Sequence, residues 1–260
     1  MGFYIGNLEI RFYGIIIAAA ILVAFFVCLN LFKKRGYNED FVYILLIILV
    51  PLGIFGARVF YVVFSPDSIN LFAIRDGGLA IYGAVIVGML GVFIFTKLRR
   101  VSFFALTDII AIGLILAQAI GRWGNFTNQE AYGLEVNFHF FPITVLIGNT
   151  PHLATFFYES LLNFVGFAVL LYIYMQRNPR VGTITALYFI YYGIVRAIIE
   201  PLRLDSLLIF GISDFVLNRI SFVISILLII AGVVILMLNR KNLINQDETG
   251  LLKKEKANDK

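Results

Sequence analysis

The sequence contains few of the residues from which most metal and redox sites are built. Its 260 residues include one cysteine and two histidines. The single cysteine, Cys28, excludes an intrachain disulfide and any metal site made of several thiolates. The histidines, His139 and His152, lie about a dozen residues apart with no cysteine or acidic pair nearby, so we expect no zinc site there. The H-E-x-x-H motif of zinc proteases and the G-x-S-x-G motif of serine hydrolases are also missing.

Charged residues are scarce as well. They make up 14% of the chain, whereas hydrophobic residues make up 60%. A soluble domain has about 25% charged and about 45–50% apolar residues. The composition therefore indicates a polytopic membrane protein, in which lipid surrounds the apolar surface. The net charge of +5 does not indicate a nucleic-acid partner, because the basic residues lie in short loops between apolar runs.

Long apolar runs fill most of the chain. A membrane-spanning helix needs about 20 mostly apolar residues, and we count about seven such runs. They lie at about 12–32, 41–64, 77–96, 104–121, 155–175, 182–200 and 217–238. The predicted fold class is therefore an all-α polytopic membrane protein with about seven transmembrane helices. The longest stretch between spans, at 134–155, is predicted to be an external segment carrying short interfacial pieces.

Basic residues cluster after alternate runs, which predicts how the chain is oriented. The clusters are Lys33-Lys34-Arg35, Lys97 with Arg99 and Arg100, Arg177 with Arg180, and Arg240-Lys241. Cytoplasmic loops carry an excess of Lys and Arg. We therefore predict an external N-terminus, a transmembrane domain over residues 1–240 and a charged cytoplasmic tail over 241–260.

Several other arginines fall near the opposite, external side. They are Arg11, Arg58, Arg75, Arg122, Arg196, Arg203 and Arg219. Arginines on the external side run against the excess of Lys and Arg in cytoplasmic loops. We therefore expect them to have a role other than setting the orientation of the chain. One explanation is an anionic ligand at the outer leaflet. Another is pairing with nearby acidic residues, and both explanations can hold together.

The densest group of polar residues occupies 121–133, directly after an apolar run. Arg122 is followed closely by Asn125, Asn128 and Glu130. A lone arginine at a helix end is more often an anchor whose side chain extends to the interface. Several hydrogen-bonding groups converging near membrane depth are unfavourable unless they bind something. We therefore interpret this segment as a binding site.

A second polar group ends the sixth run. Tyr188, Tyr192, Arg196 and Glu200 recur every four residues, so they lie close to one helical stripe. Pro201 is expected to end or kink the helix beside Glu200, because it lacks a backbone donor. The simpler interpretation is an Arg196–Glu200 pair that satisfies itself. The alternative is a charged pair facing a functional cavity.

Together, these motifs resemble those of the prolipoprotein diacylglyceryl transferases, a family of bacterial inner-membrane enzymes. The family pattern G-R-x-G-N-F-x-N-x-E-x-x-G matches residues 121–133. The aromatic-Tyr-Gly start matches 12–14, and a G-G-R-type segment matches 56–58 as Gly-Ala-Arg. The pattern D-G-G-x-x-x-(H/Y)-G matches 76–83, and Y-G-x-x-R-x-x-x-E-x-x-R matches 192–203. All the motifs occur in family order.

The resemblance implies an activity. The family transfers the diacylglyceryl group of phosphatidylglycerol to the lipobox cysteine thiol of preprolipoproteins and releases sn-glycerol 1-phosphate. It further implies a multi-pass, monomeric protein of the bacterial plasma membrane, with its active site toward the outer leaflet. The expected partners are phosphatidylglycerol, lipobox peptides and the bilayer. No metal or organic cofactor is expected.

The same resemblance assigns roles to the matching residues. Catalytic roles fall to Arg196, Glu200, Tyr82 and Tyr13. Substrate binding falls to Arg122, Asn125, Asn128, Glu130, Tyr192, Arg203, Arg58 and Gly83. Arginine suits both roles, because its planar fork can hold two phosphate oxygens and keeps its proton.

Two positions depart from the family pattern. Many members have a histidine, regarded as the catalytic base, where this chain has Tyr82. Many also read H-P-T-F-L-Y-E where this chain reads L-A-T-F-F-Y-E over 153–159. His152 lies one position too early to fill the first place of that motif. The identity of the base is therefore left open.

The alternative function is a non-enzymatic lipid or anion transporter with an outer-leaflet arginine site. Many transporters contain inverted repeats, and the motifs of this chain show none. A transporter is also expected to place charges along the full depth of its spans. The intramembrane charges of this chain cluster at one end of the predicted spans, so the sequence favours the enzyme on both grounds.

Overall fold

The structure is a computed structural model that describes residues 2–6, 8–64, 81–204 and 220–252. In these ranges the α-helices are α1 (Phe12–Lys34), α2 (Asp40–Phe64), α3 (Ile81–Arg99), α4 (Phe103–Asn128), α5 (Thr155–Gln176), α6 (Thr183–Ile199) and α7 (Ile220–Arg240). Two antiparallel hairpins are formed by β1 (Gly2–Ile5) with β2 (Leu8–Arg11), and by β3 (Thr144–Ile147) with β4 (Thr150–Leu153).

The helices confirm the predicted fold class. Within the described ranges, every helix except α3 is long and apolar enough to cross a membrane. The remaining helix, α3, has 19 residues and overlaps the third predicted span. The chain is therefore an all-α polytopic membrane protein, and the strands of its described residues form two short hairpins.

One helix end and the two hairpins were not predicted in detail from the sequence. The fourth span was predicted to end at 121, but α4 continues to Asn128. The helix ends where Gln129 and Ala131 adopt positive φ angles of 54° and 56°. The segment 134–155 contains the β3–β4 hairpin, and its interfacial position stays a prediction. The β1–β2 hairpin was not predicted. In each hairpin only two residues, the first of them glycine, separate the paired strands. This is a local turn signal that the search for apolar runs does not detect.

The chain contains two compact units, which are described separately. The first unit comprises Met1–Cys28 and Thr107–Asn245, and the second comprises Leu29–Leu106 and Gln246–Lys260. In the second unit, the Asn38 backbone N–H donates to the Leu251 carbonyl at 2.7 Å, and Leu251 is fully buried. Part of the predicted tail is thus packed. The division into a catalytic domain over 1–240 and a tail over 241–260 stays a prediction.

In the first unit, α4 is the helix with a completely buried apolar stripe. Ile109, Ile112, Ile115 and Ala119 all have 0% exposure. They recur three or four residues apart and so share one face of the helix. Because this face packs inside the protein, polar side chains that follow on α4 are held by neighbouring helices. This arrangement positions Arg122.

A buried carboxylate fixes the start of α6 against α4. Asp108 is 4% exposed. Its Oδ2 accepts from the Gly182 N–H at 2.7 Å, and its Oδ1 accepts from the Thr185 N–H at 2.7 Å and hydroxyl at 2.6 Å. A carboxylate at a helix N-terminus satisfies free N–H groups and opposes the helix dipole. The site residues of α6 lie at its other end.

Candidate active site

Three helix ends meet at the candidate site in the first unit. Arg122 lies near the end of α4, Glu159 in the first turns of α5 and Arg196 near the end of α6. Successive membrane helices alternate in direction, so the end of α4, the start of α5 and the end of α6 lie together. Residues separated by dozens of positions therefore form one cluster.

Glu159 is the centre of this cluster. Its Oε1 accepts from Arg122 Nη2 at 2.5 Å, and its Oε2 accepts from Arg196 Nη1 at 3.0 Å. Glu159 is only 1% exposed. Charge-assisted hydrogen bonds of this kind are short and strong, and a buried carboxylate is tolerated only with such partners. One carboxylate thus joins the two arginines that the sequence motifs placed far apart.

Arg196 is held on its other side by a second carboxylate. Its Nη2 lies 2.7 Å from Glu200 Oε2 and donates to Ser221 Oγ at 3.3 Å. Glu200 is fully buried. The α-helix ends at Ile199, and a 3₁₀ helix begins at Glu200 with Pro201 in its first turn. This agrees with the expected effect of Pro201 on helix α6.

Arg122 is linked to the polar residues that follow it. Its Nη1 donates to Asn125 Oδ1 at 3.4 Å, and Asn125 Nδ2 donates to Glu130 Oε1 at 2.9 Å. Asn128 Nδ2 also donates to Glu130, at 3.5 Å. The left-handed residues on either side of Glu130 turn the chain so that its carboxylate reaches back to α4. Four predicted binding residues therefore form one connected group.

The turn after α4 is fixed from outside the helix. The Thr155 hydroxyl donates to the Ala131 carbonyl at 2.6 Å, and the Gly133 N–H donates to the Leu153 carbonyl at 2.8 Å. Non-glycine residues in the left-handed region cost roughly 1–3 kcal/mol each and persist only where neighbours hold them. The position of Glu130 thus depends on α5 and on the hairpin before it.

Two predicted tyrosines lie beside the arginines. The ring of Tyr13 packs against Gly124, where an added Cβ would come within 2.8 Å of the ring. Tyr192 stacks on Tyr188 with ring centres 5.8 Å apart and interacts with Arg122. A glycine at 124 is therefore needed for Tyr13 to reach α4.

Arg203 joins the same region by its backbone. It forms an isolated antiparallel bridge with Gly133, and its charge acts on Glu159. The cluster therefore contains three predicted arginines, Arg122, Arg196 and Arg203, around a carboxylate. Such an arrangement can bind an anion, because guanidinium groups hold phosphate oxygens in a bidentate manner.

The remaining predicted residues belong to the second unit. Arg58 is 4% exposed and lies over the Tyr61 ring, 5.7 Å from its centre. Gly83 packs where α3 crosses α2, and an added Cβ would lie 2.7 Å or less from the backbone of Gly56. The structure thus gives Gly83 a role in helix packing, and its binding role stays a prediction. The Tyr82 side chain and residues 76–80 lie outside the described residues.

Glu159 was not among the residues predicted from the sequence to form the site. It is the only charged residue of α5. An ionisable residue inside a membrane span is by default a functional candidate. It also ends the segment at 153–159 that was compared with a family motif. Either signal identifies Glu159, but only the tertiary structure shows that it bridges two arginines.

The described residues contain no group of three or more His, Cys, Asp and Glu that could hold a metal ion. The site instead concentrates guanidinium groups, carboxylates, amides and tyrosines. Such a set can bind an anion and stabilise charge that develops on it.

The sequence was compared with known proteins. The family described as prolipoprotein diacylglyceryl transferase matches residues 1–238. A protein of Finegoldia magna is 38% identical over 253 residues, covering 95% of this chain and 98% of the relative. One from Synechocystis is 40% identical and covers 96% and 94%, and one from Listeria monocytogenes is 39% identical and covers 91% and 88%.

Each of these relatives carries the name phosphatidylglycerol–prolipoprotein diacylglyceryl transferase. The match extends over nearly the whole chain and includes every motif on which the resemblance was based. By this match, the chain belongs to the prolipoprotein diacylglyceryl transferase family.

Proposed function

We propose that this chain transfers the diacylglyceryl group of phosphatidylglycerol to the lipobox cysteine thiol of a preprolipoprotein and releases sn-glycerol 1-phosphate. The observation that carries the proposal is the Arg122–Glu159–Arg196 cluster, in which one buried carboxylate holds two guanidinium groups at the same place. The names of the relatives supply the two substrates.

The proposed reaction is a displacement at carbon. The substrate's cysteine sulfur, as the thiolate, attacks the glycerol carbon that carries the phosphate. A sulfur–carbon bond forms while the carbon–oxygen bond breaks, and its electron pair leaves with the phosphate. The proton of the thiol passes to a base. A free thiol has a pKa of about 8.5, so a base or cation nearby must favour the thiolate.

In this proposal the arginines accelerate the displacement step. The phosphodiester carries one negative charge, and the departing monoester approaches two. Positive groups beside the phosphate therefore bind the transition state more strongly than the substrate. We assign substrate binding mainly to Arg122, and stabilisation of the leaving phosphate mainly to Arg196 with Glu200. The amides of Asn125 and Asn128 position the head group.

The remaining roles follow the family motifs. Glu130 positions the amides that donate to it. Tyr13, Tyr82 and Tyr192 supply hydroxyl donors at the edge of the site, and Arg58, Arg203 and Gly83 contribute to lipid binding. We propose that the site faces the outer leaflet, with the N-terminus outside and the C-terminus in the cytoplasm, and that the protein acts as a monomer.

A lipidation assay tests this function directly. The purified protein is mixed with phosphatidylglycerol and a peptide containing the lipobox cysteine, and the peptide mass is measured. We expect the mass to rise by one diacylglyceryl group and glycerol phosphate to appear in equal amount. A Cys→Ser peptide and phosphatidylcholine serve as controls. A folded protein that leaves the peptide unmodified in phosphatidylglycerol would contradict the proposal.

A further inference from the structure

One face of α5 is directed at α4 and α6 along several turns. Glu159 contacts Arg122 of α4 and Arg196 of α6. Seven residues further along, Gly166 packs against side chains of both helices. Asn163 lies between these two positions, and residues four and seven apart share one face of a helix. Asn163 therefore faces the interior of the first unit, one turn from the arginine cluster.

The Asn163 side chain has no hydrogen-bond partner among the described residues. It is completely buried, with 0% exposure, and both its Nδ2 and its Oδ1 are unpaired. A buried amide without a partner is unfavourable, because it loses hydrogen bonds to water and gains none. Since most buried polar groups are paired, an apolar side chain would suit this position better in the structure as it stands.

Carboxylates already pair with the two guanidinium groups that contact Glu159. Two guanidinium groups, of Arg122 and Arg196, face two buried carboxylates, of Glu159 and Glu200. A phosphate adds negative charge and competes with Glu159 for the same two guanidinium groups. When a guanidinium N–H turns to the phosphate, a Glu159 oxygen loses a donor. A buried carboxylate with fewer donors is strongly destabilised.

Asn163 can supply the missing donor. Side chains four residues apart on a helix are neighbours, with Cβ atoms about 5–6 Å apart. The Asn163 amide nitrogen carries two N–H donors. It is neutral, so it can stabilise Glu159 without competing electrostatically with the arginines for the phosphate.

We propose that Asn163 is a positioning residue whose amide donates to Glu159 when Arg122 and Arg196 turn to the phosphate. This inference rests on the proposed function, since the anion is the phosphate of phosphatidylglycerol. It explains why an amide without a partner among the described residues lies one turn from the centre of the cluster. The amide has its partner only in the lipid-bound state.

The test compares Asn163→Leu with Asn239→Leu. Asn239 is a matched control, because it is also buried but its Nδ2 donates to the Val181 carbonyl and the Thr183 hydroxyl, both at 3.0 Å. Thermal unfolding in detergent without phosphatidylglycerol is measured first. We expect Asn163→Leu to unfold at the wild-type temperature or above it, and Asn239→Leu to unfold below it.

Phosphatidylglycerol is then titrated in both the unfolding and the lipidation assay. For Asn163→Leu we expect half-saturation at about tenfold higher lipid concentration or more, with lower turnover, because a donor to a buried carboxylate is missing. A lower unfolding temperature without lipid would show that the amide is used in the resting state and would overturn the proposal. Unchanged lipid dependence and turnover would overturn it as well.

The experiment distinguishes failure of the proposed role of Asn163 from failure of the proposed function. If the wild-type protein lipidates its peptide and Asn163→Leu matches it, only the role of Asn163 fails. If the wild-type protein does not lipidate the peptide, the proposed function fails. The unfolding measurements with and without phosphatidylglycerol then still test whether Asn163 stabilises the lipid-bound state.

Discussion

Arginines of this protein have different surroundings. The surroundings distinguish an arginine of the candidate active site from one that only anchors a helix in the membrane. Arg99 at the end of α3 is exposed, as expected of a topology signal. Arg196 is 9% exposed and held by two carboxylates. Both are arginines near the end of an apolar helix, so composition does not distinguish them. Only the second has a fixed position for its guanidinium group, which is what binding a phosphate requires.

Replacing Arg122 and replacing Arg196 by lysine should impair the enzyme in different ways. Lysine keeps the charge but cannot hold Glu159 and two phosphate oxygens at once. We expect Arg196→Lys mainly to lower turnover, by about a hundredfold, and Arg122→Lys mainly to weaken apparent lipid affinity. The measurement is turnover against phosphatidylglycerol concentration at matched protein level. Arg99→Lys is the control, and near wild-type activity in both site variants would remove the phosphate-binding interpretation.

Glu159→Gln should lower stability as well as activity. It removes the buried charge that balances two arginines, and breaking a buried ion pair costs about 3–5 kcal/mol. Glu39→Gln is a suitable control, because Glu39 pairs with Lys33 at 3.0 Å while both side chains are partly exposed. Such a pair contributes little to stability, because water and salt screen it. Equal unfolding temperatures for the two variants would contradict a central role for Glu159.

Tyr82→Phe separates two roles for the residue that replaces the family histidine. If Tyr82 acts as the base, removing its hydroxyl should reduce turnover about a hundredfold or more. If it orients lipid, the loss should be far smaller. We favour orientation, because a tyrosine with a pKa of about 10 is a poor base near neutral pH. A loss above a hundredfold with unchanged lipid affinity would favour the base.

At the scale of helices, the two ends of α6 are held independently. Arg196 is fixed at one end by Glu159 and Glu200, and the start of the helix is fixed by Asp108. The sequence shows neither arrangement fully, because all of these contacts except the Arg196–Glu200 pair join residues far apart along the chain. Stability and activity can therefore be separated by mutation.

Asp108→Ala should destabilise the protein without changing its lipid affinity. The variant leaves the N–H groups of Gly182 and Thr185 without their acceptor, at a cost of roughly 3 kcal/mol. Asp247→Ala is the control, since Asp247 is exposed and caps only a short turn. The measurements are unfolding temperature and the lipid concentration at half-maximal rate. A large change in that concentration would show that Asp108 also shapes the site.

At the scale of the whole molecule, the basic loops predict the orientation in the membrane. Two single cysteines test it in a Cys28→Ser background. We expect Asn149→Cys, in the exposed β3–β4 turn, to react with an impermeant thiol reagent in intact cells. Lys241→Cys should react only after the membrane is opened, because Lys and Arg are retained on the cytoplasmic side. The reverse labelling pattern would overturn the proposed topology.

The sequence by itself determined the class of the protein, because that depends on local composition. Seven apolar runs predicted the helices, and the spacing of four residues predicted the Arg196–Glu200 pair. The polar group after α4 was also recognisable from composition alone. These features need no knowledge of which helices are neighbours.

Only the tertiary structure decided how the site is assembled. Glu159 joins Arg122 and Arg196 because three helices alternate in direction and bring their ends together. Gly83 lies in a helix crossing because the α2 backbone approaches it closely. The unpaired amide of Asn163 is visible only once its neighbours are known. Contacts between distant segments decide all three features, and local patterns of hydrophobicity and charge carry no record of such contacts.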